Sequence, residues 1–251
     1  MLCPSCQQVA MDGSEVCEKC GWRFNSGGGA TARTIVRPAA RPKMPCEVEL
    51  VLDVDRTGSS NEFKSGIEKA VEIIAKGIAA KARKVTVTVV THGDEDLDEH
   101  PVVHTVAGTP EQAVTDVKSI TFAGGGDPEE HHLSGIEYAF TTTPWTQDPR
   151  KARGALVAFL TDDTKPLRSG KSARQLGEEI RSRGVLLYLV CQETPTLREL
   201  AEGAGGVIFS ISNDPSREEL TRISSQVAAS ITATVGAGAT VPLSATVAAR
   251  V

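Results

Sequence analysis

The chain has 251 residues, of which 40% are apolar and 24% charged, with 23 Gly and 13 Pro. That globular balance excludes a wholly disordered chain and leaves room for one large domain with a small appendage. The formal net charge is −5, and the main body after residue 46 is acidic, which argues against a broad nucleic-acid surface. The apolar runs 155–160 and 185–191 fall far short of the ~20 residues that span a bilayer, and the start MLCPSCQQ lacks a charged stretch leading into an apolar one. No membrane partner and no signal peptide are therefore expected, and a cytoplasmic location is.

Four of the six cysteines lie in the first twenty residues, as Cys3-Pro-Ser-Cys6 and Cys17-Glu-Lys-Cys20-Gly21. Two CxxC pairs at short separation point to a tetrahedral Zn2+ site with Cys3, Cys6, Cys17 and Cys20 as thiolate ligands. Residues 1–25 cannot bury a core of their own, so the metal would supply most of their folding energy; the stretch resembles a zinc ribbon. Residues 26–45 follow as a Gly/Ala/Pro-rich linker whose charges, Arg33, Arg37, Arg41 and Lys43, are all basic. Cys46 and Cys191 border strand-like runs and read as small buried apolar residues.

From residue 46 the pattern alternates. Residues 46–55 (CEVELVLDVD) form a strand ending in acids, and 61–82 place Phe63, Ile67, Ala70, Val71, Ile74 and Ile78 on one helical face. Residues 84–91 are a β-branched strand, 94–99 an acidic solvated turn, and 102–106 a short strand. A helix starts at Thr109-Pro110 and runs to about Ser119. The Gly-rich loop 121–128 (TFAGGGDP) leads into a helix over 128–142, with His131 and His132 on its surface. Strands over 154–161, 185–191 and 206–211 then alternate with helices over 170–183 and 195–203, and Asp214-Pro215 opens a last helix carrying Leu220, Ile223, Val227 and Ile231 on one face. This order predicts a doubly wound α/β domain over 46–235. Its sheet is six-stranded and mostly parallel, with one antiparallel edge strand and helices on both faces, and a low-charge tail follows over 236–251. In such sheets ligands bind beyond the carboxyl ends of the strands.

Three loops bring oxygen ligands to those ends: Asp53-Val-Asp55-Arg-Thr57-Gly-Ser59-Ser60, Gly124-Gly-Gly-Asp127-Pro-Glu129-Glu130 and Leu160-Thr161-Asp162-Asp163. Such donors suit Mg2+, Mn2+ or Ca2+ better than zinc. On these residues the sequence resembles the von Willebrand factor A (vWA) domain family. Asp55-x-Thr57-Gly-Ser59 looks like its D-x-[ST]-G-S motif, 160–163 (LTDD) its TDG-type motif, and GGGDPEE its middle motif with the proline one place early. The resemblance covers about 46–233 and implies a metal-ion-dependent adhesion site. In that site Asp55, Thr57, Ser59 and Asp162 hold a hard divalent cation such as Mg2+, and an Asp or Glu of a protein partner completes the shell. The middle ligand is Asp127 or, in place of the threonine many members use, Thr121. Asp127 equally suits a helix start, as N-cap before Pro128 and Glu130. Asp53 is expected to be buried behind the site, and Asp163 to cap its own loop. Bacterial members of the family often work with ATPase chaperones, kinases or stress-response complexes.

VLDVDRTG also resembles the first motif of haloacid-dehalogenase-like phosphatases. That resemblance makes Asp53 a nucleophile on phosphorus, Asp55 a general acid, Asp162 and Asp163 ligands of Mg2+, and Lys118 the nearest candidate for the family's lysine. The family's flap is missing, because Asn61 leads straight into a long helix, and GGGDPEE is left without a role. The favoured expectation is a non-enzymatic adaptor in which a zinc ribbon is tethered to a metal-dependent protein-binding domain. The alternatives are the phosphatase and a nucleic-acid-associated adaptor acting through the ribbon and basic linker.

Overall fold

The structure is a computed structural model and describes residues 47–126 and 129–236. The four N-terminal cysteines, the basic linker, Asp127 and the tail beyond Gly236 lie outside the described residues. The main sheet has six strands in the order β3-β2-β1-β5-β7-β8: β1 (Glu47–Asp55), β2 (Val85–His92), β3 (Val102–Gly108), β5 (Ala152–Phe159), β7 (Leu186–Cys191) and β8 (Val207–Ser210). All neighbours pair parallel except β2 and β3, which pair antiparallel with a register shift. The turn joining β2 to β3 allows that reversal, whereas every parallel pair needs a crossover helix.

Six α-helices cover the sheet: α1 (Lys64–Ala79), α2 (Pro110–Ser119), α3 (His132–Thr142), α4 (Ala173–Ser182), α5 (Pro195–Ala204) and α6 (Arg217–Gly236). Side chains alternate across the strands. Val48, Leu50, Leu52 and Val54 of β1 pack with α1, α2 and α6, whereas Val51 packs on the other face with α3, α4 and α5. Residues 155–159 of β5 and the whole of β7 are apolar on both faces because both are covered. Local chemistry agrees with the fold. Thr109 and Thr194 cap α2 and α5 with proline in the first turn, Ser172 and Gln175 form a capping box on α4, and Gly205 ends α5 at φ 61°.

Two expectations are corrected. The Gly-rich loop does not run straight into a helix. Glu129–Glu130 form a short strand β4, paired parallel with β6 (Asp163–Thr164), and α3 starts only at His132, with His131 as its N-cap residue. The ladder claims the backbone that a helix over 128–142 would have used, so the helix-start reading of Asp127-Pro128-x-Glu130 fails. The turn over 94–99 is not simply solvated either, because Asp94 is buried. Among the described residues no helix is long and apolar enough to cross a membrane.

Candidate metal centre

Strand alternation sets the site. Asp53 and Asp55 follow Val51 on the α3 side of β1, at its carboxyl end, and His92 closes β2 directly beside Asp55 in the parallel register. Both aspartates are fully buried. A buried carboxylate is costly unless its oxygens are satisfied, and the following turn supplies the donors for Asp55. Its Oδ1 accepts the Thr57 N–H at 2.9 Å and the Thr57 hydroxyl at 2.7 Å. Its Oδ2 accepts the hydroxyls of Ser60 at 2.9 Å and Thr161 at 2.5 Å. Ser59 lies within reach of both threonine hydroxyls, 2.9 Å from Thr57 and 3.1 Å from Thr161. With both threonine protons committed to Asp55, the single Ser59 hydroxyl proton is left to serve one of the two contacts at a time.

The Gly-rich loop is stitched onto this turn. Gly58 N–H donates to the Gly124 carbonyl at 3.0 Å and Ala123 N–H to the Arg56 carbonyl at 2.9 Å. Glu99 anchors the loop from the other side, accepting from the N–H groups of Gly125 and Asp94. Gly124 sits at φ +93°, and a Cβ there would stand 1.6 Å from Glu99 Oε1, so only glycine fits. Thr121 is exposed just beyond α2.

Asp162 takes the left-handed conformation at φ 51°. It lines a cleft of about 360 Å3 together with Ser59, Thr161, Phe63 and Ile211. Burial and the neighbouring Asp55 both raise its carboxyl. Burial alone would raise Asp55 too, but the His132 and His92 rings, the Thr161 hydroxyl and the Thr57 N–H outweigh it and hold Asp55 below the usual carboxylate range. Asp163 accepts its neighbour Thr164's N–H, in keeping with a local capping role.

Behind Asp55 lies a relay that the sequence reading passed over. Asp53 Oδ1 is 2.9 Å from His92 Nδ1, His92 Nε2 is 2.9 Å from His132 Nδ1, and His132 Nε2 is 2.5 Å from the Thr161 carbonyl. His131 and His132 are therefore not surface residues; both are buried. The signal was present, since His132 lies on the same helical stripe as Gly135, Ile136 and Ala139. Burial, and then His92, push His132 down to about 4. Burial also lowers His92, but Asp53 leads the carboxylates that reverse this and leave it raised. Nearby, Asp94 binds both His131 and the Lys165 ammonium, which also reaches Asp96. The part-buried ammonium there bridges those acids.

Among the described residues, two groups thus bring together side chains that could hold a metal ion: Asp55 with His92 and His132, and Asp94 with Asp96 and His131. Of the residues expected at the adhesion site, Ser59 and Asp162 line the cleft, and the buried Asp55 and Thr57 stand behind it, linked to it through Thr161 and Ser59. The all-oxygen character of that set fits a hard cation.

No protein-family model and no curated protein sequence matches the chain. Among solved structures, the crystal structure of the SpRpn10 VWA domain is similar, with a TM-score of 0.56 and 15% identity over 71% of this chain and 93% of that one. The chain therefore has the vWA fold.

Proposed function

We propose that this chain is a non-enzymatic, metal-dependent protein-binding adaptor. A hard divalent cation, Mg2+ or a similar ion, is held at the cleft by Asp55, Thr57, Ser59 and Asp162, with Asp127 or Thr121 from the middle loop. It grips an Asp or Glu of a protein partner. The observation that carries this reading is the convergence of the Thr57, Ser60 and Thr161 hydroxyls on Asp55, with Ser59 bridging Thr57 and Thr161 at a cleft that also holds Asp162. When bound, the cation supplies a positive charge with an open position for a carboxylate. The chain's own residues hold its ligands in register. Asp55 is fixed by its four donors, and the Gly58–Gly124 bond clamps the turn against the middle loop.

The N-terminal Zn2+ ribbon on Cys3, Cys6, Cys17 and Cys20 is part of the same proposal, as a second docking unit in a reducing compartment such as the cytoplasm. The phosphatase reading is not favoured. Its nucleophile would be Asp53, which is fully buried and tied to His92, whereas an attacking carboxylate must reach phosphorus.

Titration of the full chain with Mg2+ or Mn2+ tests the reading. Ser59 is exposed and dispensable to the core, so Ser59→Ala is expected to weaken binding by roughly tenfold or more with the fold intact, the worth of about one charge-assisted contact. Unchanged affinity would sink the adhesion site. Hydrolysis of p-nitrophenyl phosphate that needs Mg2+ and disappears in Asp53→Asn would replace it with the enzyme.

A further inference from the structure

The Asp53–His92–His132–Thr161 relay poses a problem of proton count. An ionised carboxylate only accepts, so His92 Nδ1, at 2.9 Å from Asp53 Oδ1, carries a proton. A carbonyl also only accepts, so His132 Nε2, at 2.5 Å from the Thr161 carbonyl, carries one as well. When both rings are neutral, their remaining nitrogens, His92 Nε2 and His132 Nδ1, face each other at 2.9 Å as two lone pairs. Two lone pairs at that separation repel, so a cation belongs between them.

Either a proton or a metal ion can fill that role, and the surroundings favour a metal. A carboxylate oxygen of Asp55 and one ring nitrogen of each histidine all lie within 4.8 Å of one another, so a third ligand atom is at hand. Both outer nitrogens already make the contacts that orient metal-bound histidines, one to a carboxylate and one to a backbone carbonyl. Charge points the same way. Asp53 and Asp55 are fully buried, and the second oxygen of Asp53 has no hydrogen-bond partner. One shared proton places a single positive charge among these acids, whereas a dication places two. Metal–nitrogen bonds of about 2.0–2.1 Å hold two ring nitrogens about 2.9 Å apart at a right angle and about 3.3 Å apart in a tetrahedron. Accommodation thus needs a change of separation of at most a few tenths of an ångström, together with a turn of the rings that brings both lone pairs onto one point.

We propose that His92 Nε2, His132 Nδ1 and a carboxylate oxygen of Asp55 form a buried site for a borderline transition dication such as Zn2+, behind the hydroxyl-lined cleft. Imidazole donors select such an ion over Mg2+. The site goes beyond the adhesion-site reading and does not depend on it, although Asp55 stands between the two. Asp53 is a positioning residue that orients His92.

Cobalt titration of the full, metal-stripped chain tests the proposal. Co2+ on cysteine thiolates gives a near-ultraviolet sulfur-to-metal band, whereas Co2+ on imidazole and carboxylate gives visible bands without it. One equivalent of the second kind is expected. His92→Gln and His132→Gln should each weaken it about 100-fold or more, and Asp53→Asn about 10- to 100-fold. Ser59→Ala should leave it unchanged while impairing Mg2+ binding, so the two sites fail separately. If the histidine variants do not fold, proton NMR of the cobalt-loaded native chain decides. Two hyperfine-shifted exchangeable imidazole protons, on His92 Nδ1 and His132 Nε2, are expected. Absence of the sulfur-free cobalt bands, their persistence in both folded histidine variants, or absence of those two resonances overturns the metal site in favour of a shared proton.

Discussion

Replacing Thr161 with valine removes one hydroxyl and leaves the side-chain outline almost unchanged. That hydroxyl donates to Asp55 Oδ2 at 2.5 Å, and Thr161 is buried. A hydrogen bond to a charged acceptor contributes about 1.5–3 kcal/mol. Ser60 remains as a donor to the same oxygen, which favours the lower half of that range. Thr161→Val is therefore expected to cost about 2 kcal/mol, roughly 30-fold in the folding equilibrium, and to lower the melting temperature by about 4–8 °C for a domain of this size. Thr161→Ser keeps the donor and should recover most of the loss. The effect has a pH signature. Asp55 is held below its ordinary value of 3.8 in the folded state, so the stabilisation from its charged form is present above that value and fades as pH falls through the depressed one. The gap between native and Thr161→Val proteins should be full at neutral pH and close in acid below 3.8. Urea melts of the full chain followed by helical circular dichroism, at neutral and acid pH, measure this. A gap under about 0.5 kcal/mol, within the ordinary surface range, or one that does not shrink in acid, would refute the account of how Asp55 is held.

Other outcomes follow from the same geometry. Gly124→Ala forces a Cβ onto Glu99 Oε1 and should cost about 1–3 kcal/mol, with faster hydrogen exchange at the Gly125 amide that Glu99 holds. Ile74→Ala, in the fully buried face of α1, should cost about 2–5 kcal/mol by leaving a cavity. In metal analysis of the purified chain the N-terminal cysteines should account for about one zinc beyond any at the histidine site, and Cys6→Ser should lose that one without change in the melt of the α/β domain; a lowered melt would count against their independence. Saturating Mg2+ should raise the melting temperature by mass action, and Asp55→Ala should abolish that rise.

The sheet was legible because its signals are local and redundant. Residues 186–191 are apolar on both faces, residues 85–90 are β-branched throughout, and α1 shows its stripe plainly. The Asp55–Thr57–Ser59 turn was legible as a motif because its contacts span only two residues at a time. What escaped depends on distance in sequence. His92 and His132 meet across forty positions, and nothing next to His92 announces a partner on another helix. The start of α3 was misplaced for a related reason: Asp-Pro-x-Glu is a good helix start in isolation, and the ladder with residues 163–164 overrides it. Asp94 in an acidic run gave no hint of Lys165, seventy-one residues later.

Asp162 exposes a conflict between durability and use. Its left-handed backbone is one that glycine adopts more readily, and its carboxylate sits beside another of like charge. Both features count against it while no cation is bound, and a cation reverses only the second. A library screened solely for thermal endurance in chelator should therefore enrich Asp162→Gly, with a gain of about 1 kcal/mol or less, and the survivors should be the clones least able to retain divalent ions. The same library screened in excess Mg2+ should keep the aspartate. Position 162 would then report, from sequencing alone, whether a selection rewarded the empty scaffold or the loaded one.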